Sequence, residues 1–249
     1  LLLVLGAQIA LGLMDFTHNL YTYSSAPNAS YSDMNGYGHF LNAQFWFQAY
    51  WAVFLLILML LASAFWVRGV SPTWRERVTL AKHRLQGKAG VALLVSMLVF
   101  IGMGSYIFYN TNILNDYLTP DQQLDLQARY ETELKKYKDV PQPRIQAIDI
   151  TVDLRPEQQH ATFKGTYRIK NTHAKALNEI HIQMIDDKTL KSIEFGKVEL
   201  TFYNKDLGFR IYKLDTPMAP GEVRNLHFTV EIGEKGFSNS GNQSEIVEN

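Results

Sequence analysis

Cysteine is absent from the 249 residues. That excludes disulfides, thiolate metal sites and a cysteine nucleophile, and it is compatible with any compartment. Charge is absent where its absence says most. From Ala89 to Tyr109, AGVALLVSMLVFIGMGSYIFY, 21 residues pass without Asp, Glu, Lys or Arg. At about 1.5 Å of rise per residue such a helix just covers the ~30 Å hydrocarbon core of a bilayer. A second uncharged run, Ala49 to Val67, follows the more mixed FLNAQFWFQ, with Trp46 and Trp51 at one end and Trp66 at the other, where interfacial aromatics sit. Signature motifs are missing too. There is no Gly-rich phosphate loop, no G-x-S-x-G and no H-E-x-x-H. The 24 basic residues are matched by 24 acidic ones, so no general attraction to nucleic acid follows.

What is present divides into two unlike halves. Up to Tyr109 the chain is rich in Leu, Phe, Trp and Ala, and most of the charge comes after it. The opening LLLVLGAQIALGL is too short to span, lacks a basic leader and has no clean cleavage site, so it reads as the tail of a truncated membrane helix over about 1–13 rather than a signal peptide. Residues 14–43 hold no Lys or Arg and are dense in Tyr, Asn, Ser and Gly, as in an extramembrane loop. Asp15, His18, Asp33 and His39 lie in it without a recognised ligand spacing. Asn28-Ala-Ser30 and Asn242-Gln-Ser244 are formal glycosylation sequons of a kind common by chance. Between the spans at 44–67 and 89–109, Arg68, Arg75, Arg77, Lys82, Arg84 and Lys88 face only Glu76. A short loop so basic stays cytoplasmic, and Pro72 to Leu85 suits a basic helix on anionic headgroups. The second complete span then runs outward and delivers the rest to the exterior or periplasm. On it Gly102, Gly104 and Ser105, with Ala92 and Ser96, offer small faces for a neighbouring helix. Neither complete span carries a charge that would mark a proton or ion path.

Residues 110–143 are expected to be an extracytoplasmic helix and linker. Thr119-Pro-Asp-Gln122 has the form of a capping box with Pro at the first helical position, and the helix should run to about Lys138 with a stripe of Leu126, Tyr130, Leu134 and Tyr137. Glu131 and Lys135 are spaced to pair, and Pro141 and Pro143 end the element. It suits a stalk or spacer, or alternatively a docking helix. From Arg144 the period changes to 2. Ile148, Ile150, Val152 and Leu154 alternate with Asp149, Thr151 and Asp153, and after the turn RPEQQH so do Ala161, Phe163, Gly165, Tyr167 and Ile169 with polar neighbours, which predicts an antiparallel hairpin. Further strands are expected at Leu177 to Met184, Leu190 to Phe195, Val198 to Tyr203, Phe209 to Leu214 and Val223 to Ile232. Turns are expected at Asp186-Asp187, Asn204 to Asp206 and Pro217 to Gly221, with loop from Gly233 on. The fold class is therefore membrane α-helices, two complete spans plus one truncated, followed by an all-β antiparallel sandwich or saddle domain over 144–249. His160, His173, His181 and His227 fall in or beside the strands, where each suits a strand face better than a ligand role, no carboxylate or second His lying at a useful offset. Asp149 and Asp153 share a strand face. No catalytic, metal or cofactor residue emerges from the sequence.

The order IDITVDLRPEQQHATFKGTYRIKN, then LNEIHIQM, then MAPGEVRNLHFTVEI resembles the N-terminal β-saddle domain of the aminopeptidase N family of zinc metallopeptidases. Ile148 to Pro156, Phe163 to Asn171, Ile180-His181 and Ala219 to Glu222 match that family's pattern in order, with Ile148 where the family opens on Tyr. The membrane half is similar to bacterial proteins in which permease-like helices, of the kind found in ABC exporters, are fused to an aminopeptidase-like ectodomain. The resemblance implies a parent whose zinc, with its ligands and peptide-hydrolysing domain, lies outside this chain, so that this piece is an inactive anchor and accessory domain. It also implies as partners the lipid bilayer, the parent's other membrane helices, the missing catalytic domain packed on the β domain, and an ATPase subunit. The alternative is a transporter permease subunit with a non-catalytic ectodomain that binds peptides or partner proteins.

Overall fold

The computed structural model describes residues 2–29, 31, 33–34, 36–38, 40–67, 73–184, 189–233, 235–240 and 246. His39, Arg68, Pro72, the Asp186-Asp187 turn and the sequon residues Ser30 and Asn242 to Ser244 lie outside them. The chain forms two compact units, Leu1–Thr119 with Lys235–Gln243, and Pro120–Glu234 with Ser244–Asn249. The stretch Pro120–Glu234 thus lies in sequence between two parts of the helical unit, and Lys235 to Ser240 group with the helices.

The helical unit holds α1 (Leu2–Leu13), α2 (Phe40–Phe65), α3 (Trp74–Leu85) and α4 (Lys88–Phe108), continued by a π-helical turn, Tyr109–Leu114. Two of its helical stretches, Phe40–Phe65 and Lys88–Leu114, are long and apolar enough to cross a membrane. A core helix of a soluble protein passes the same test but is mostly buried, whereas only 22% and 11% of these apolar windows are covered. α2 begins at Phe40, before the expected 44, and Ala43 and Phe47 are fully buried in the packed core. Of the small residues singled out on α4, Gly104 meets α2 and Ser96 is buried, whereas Ala92, Gly102 and Ser105 are exposed. The ring of Tyr50 stacks on Phe100 at 4.4 Å and lies so close to Gly104 that a Cβ there would sit 3.2 Å from it. Glu76 accepts a hydrogen bond from the Thr73 backbone N–H at 3.0 Å, fixing the start of α3. From the last turn of α3, Arg84 donates to the Ser63 and Ala64 carbonyls at 3.1 and 3.2 Å and to that of Trp66. A cation thus serves the orphan carbonyls at the negative end of α2.

The second unit opens with α5 (Pro120–Leu134), prolonged by a 3₁₀ turn to Tyr137, and continues with β1 (Arg144–Arg155), β2 (His160–Lys170), β3 (Leu177–Gln183), β4 (Leu190–Glu194), β5 (Val198–Asn204), β6 (Phe209–Met218) and β7 (Val223–Gly233). All pairings are antiparallel, in a four-stranded sheet ordered β1-β2-β7-β4 and a three-stranded sheet ordered β3-β6-β5. Side chains from both build one apolar cluster, with Ile169 and Leu226 from the first and Leu177, Ile180, Tyr212, Leu214 and Met218 from the second. Asn171, fully buried just after β2, donates through its side-chain amide to the Lys175 and Met218 carbonyls at 2.9 and 2.8 Å and ties the loop to β6.

Here α5 is not a free stalk. Its expected stripe turns Leu134, Leu126 and Tyr137 onto Leu207, Phe209, Ile211 and Phe202, the docking alternative, while Tyr130 stays exposed. The helix ion pair that forms is Arg129 to Glu133 at 2.9 Å, with Arg129 also reaching Asp206 at 3.0 Å. Asp206 lies on the β5–β6 turn, where helix spacing cannot reveal it.

Candidate functional site

The most elaborate polar cluster in the helical unit gathers where α4 becomes the π-helical turn. A π turn widens the helix, and here its i→i−5 bond, Asn115 N–H to Asn110 O at 3.2 Å, leaves Asn110 and Thr111 turned inward and buried. Thr111 donates its hydroxyl to the Ile107 carbonyl at 2.9 Å, so its oxygen is free to accept from Nε2–H of His18 at 3.0 Å. His18 Nδ1 accepts from the Leu20 N–H at 3.1 Å, which fixes the neutral Nε2–H tautomer. The imidazole is 2% exposed, edge-on to Tyr117 at 4.7 Å between ring centroids. Burial takes its pKa from 6.5 down to about 4, against the raising effect of the Asn112 side chain.

Into this cluster the chain returns. The Asn115 side-chain amide donates to the carbonyls of Lys235 at 2.8 Å, Phe237 at 3.2 Å and Asn110 at 3.0 Å. Asn19 and Asn239 clasp each other twice, and Trp51 donates its indole N–H to the Asn19 carbonyl at 3.1 Å. The Phe237 ring is 2% exposed, packed against Phe47 and Tyr106. Gly236 has φ +67°, and a Cβ on it would lie 2.0 Å from Asn110 Oδ1, so only glycine fits. None of this was legible in the sequence. The only local signal was an aromatic beside Gly236 in an otherwise polar tail.

Of the residues weighed in the first loop, His18 is drawn inward to Thr111, away from any carboxylate bond. In the β unit His181 does have a carboxylate partner, which corrects the sequence reading: its Nε2 lies 2.8 Å from Glu179 Oε1. Residues two apart on a strand share a face, which places Glu179 beside the His181 ring. His173 Nε2 meets the Gln142 carbonyl at 3.0 Å, and His227 Nδ1 meets Thr166 Oγ1 at 2.8 Å. Asp153 pairs with Arg155 at 2.7 Å. Asp149 lines an open polar groove with Lys164, Thr166, Glu194 and His227, the water-facing side of the four-stranded sheet. Among the described residues no three His, Cys, Asp or Glu side chains come together as a metal site.

No protein-family description matches the chain, and no curated protein does. Among solved structures it is similar to the M1 zinc metallopeptidase of Deinococcus radiodurans and to a mutant of it bound to a Tyr-Ser-Ala substrate, each at 15% identity with a TM-score of 0.29. The matched region covers 38% of this chain and 21% of those chains, about a fifth of their length. At that score the shared piece is too small and too divergent to say what this chain does.

Proposed function

We propose that this chain is the membrane anchor and N-terminal accessory β-saddle domain of a membrane-bound zinc aminopeptidase whose peptide-hydrolysing domain lies outside it. In this reading α2 and α4 cross the bilayer, the basic connector with α3 stays in the cytoplasm, and the β unit stands on the periplasmic side. The observation that carries it is an uncovered apolar row. Ile148, Ile150, Val152 and Leu154 project from one face of β1 and are 57, 42, 49 and 55% exposed. A solvated edge strand would carry charges there, and a contiguous row of this kind marks a surface made for another protein domain. The resemblance of Ile148 to Glu222 to the family's β-saddle domain supports that family's catalytic domain as the occupant.

The test is direct. In the parent's reading frame an H-E-x-x-H with a further Glu is expected, the ligand set that leaves zinc one open position, and the purified parent should hydrolyse an amino-acyl anilide only with zinc present. Residues 1–249 alone should not. A parent without the motif ends the peptidase reading and leaves the transporter-subunit alternative.

A further inference from the structure

Gln142, just before β1, is pinned in an unusual way. Its side-chain oxygen accepts the His181 backbone N–H at 2.8 Å, and its own carbonyl receives His173 Nε2 at 3.0 Å. Only the oxygen can face an N–H donor, so the amide orientation is fixed and the nitrogen is turned away. That nitrogen is buried and finds no acceptor among the described residues. A buried unused donor is costly, and native structures carry few of them. Gln142 also forms part of the wall of a cavity of about 330 Å³ between the two sheets. Ile169, Ile193, Leu226 and Phe228 of the four-stranded sheet line one side, and Ile180 and Ile182 of β3 the other. The wall contains no Lys, Arg, Asp or Glu among the described residues.

The space is a partly open cleft with a mostly apolar lining, the form that small-molecule sites commonly take. It is about twice the ~150 Å³ that accepts a benzene ring, so a molecule of about ten to twelve heavy atoms fits. We infer that the space between the sheets is a binding site for a small uncharged molecule with an apolar body and one carbonyl oxygen, the oxygen accepting from the Gln142 amide. An ion is disfavoured because the wall offers no Lys, Arg, Asp or Glu to compensate its lost hydration, and the His181 ring is already engaged by Glu179. The site is independent of the peptidase reading and would remain if that reading fell.

The full chain in lipid nanodiscs, observed by saturation-transfer NMR against empty nanodiscs, tests this with three probes of similar size: benzylacetone, butylbenzene and phenylbutylamine. Benzylacetone should bind above the empty-disc background, and the ammonium probe at least tenfold more weakly. Ile193→Phe, which fills the cavity, should abolish binding. Gln142→Glu keeps an acceptor for His181 but loses the free donor, and should weaken benzylacetone about three- to tenfold while leaving butylbenzene unchanged. Butylbenzene binding thus reports that this variant is folded. If that variant loses both probes, Ile193→Phe and the wild-type ranking decide. No wild-type signal, undiminished binding to Ile193→Phe, or equal binding of the amine and the ketone would overturn the site. An unchanged benzylacetone affinity in Gln142→Glu would overturn the role of the amide.

Discussion

Free histidine takes up its proton near 6.5, and the buried ring of His18 near 4. The unfolded state therefore binds the proton first as pH falls, and the helical unit loses stability through that window. The contribution is fully present above 6.5, erodes below it, and is gone below about 4, for a total of about 3 kcal/mol. Burial of the ring is the main cause, and a protonated Nδ1 could in addition no longer accept from the Leu20 N–H. In His18→Gln the thermal midpoint of the helical unit should fall less steeply between pH 6.5 and 4 than in the wild type. Parallel slopes would show that other groups carry the acid sensitivity. A second residue prediction concerns Gly236→Ala, which combines a left-handed backbone with a clash against Asn110. It should cost more than about 1 kcal/mol and raise amide hydrogen exchange at Phe237. Unchanged protection there would mean that the return segment is held elsewhere.

Among the elements, packing rather than propensity separates what was legible from what was not. The seven strands could be read because each alternates, and a period of 2 survives whatever the strand pairs with. Their division into sheets of four and three could not, since β4 joins β7 and β3 joins β6 across long connections. The π turn has no sequence signature, and the clasp it supports depends on Phe237, more than a hundred residues from the helices it packs against. On β1 alternation places Ile148, Ile150, Val152 and Leu154 on one face, and the structure leaves that face uncovered. For α5 the stripe holds at Leu126, Leu134 and Tyr137 but not at Tyr130, and the docked state rests on Leu134, which is buried with Phe209 and Ile211. Leu134→Ala should therefore destabilise the β unit by about 2–4 kcal/mol, measured by chemical denaturation. A cost within the surface range of about 0.5 kcal/mol would restore the stalk. Val152→Lys, on the uncovered row, should leave the unit's stability within about 0.5 kcal/mol and weaken its association with the proposed catalytic domain. Unaffected association would remove the row as the docking surface.

For the whole molecule, the proposed sidedness rests on where the stretch Pro120–Glu234 joins the helical unit, both of its ends meeting one cluster. The chain leaves the helical unit at Thr119, a few residues after Asn115, and Asn115 holds Lys235 and Phe237 where it returns. His18 fastens the loop that lacks Lys and Arg to the same end of α4, through Thr111. The basic α3 is fastened to the opposite end of α2, through Arg84 and the Ser63 and Ala64 carbonyls. If α2 and α4 cross a bilayer, the uncharged loop, the clasp and both attachments of the β unit must share one face and α3 must lie at the other. The positive-inside tendency then assigns α3 to the cytoplasm. Protease added to intact spheroplasts should digest the β unit and spare Trp74 to Leu85, and permeabilised cells should lose both. Digestion of the α3 region from outside with the β unit intact would invert the orientation. Digestion of both from outside would refute two crossings altogether, because the hydrogen bonds of Arg84 and Asn115 place those segments at opposite helix ends.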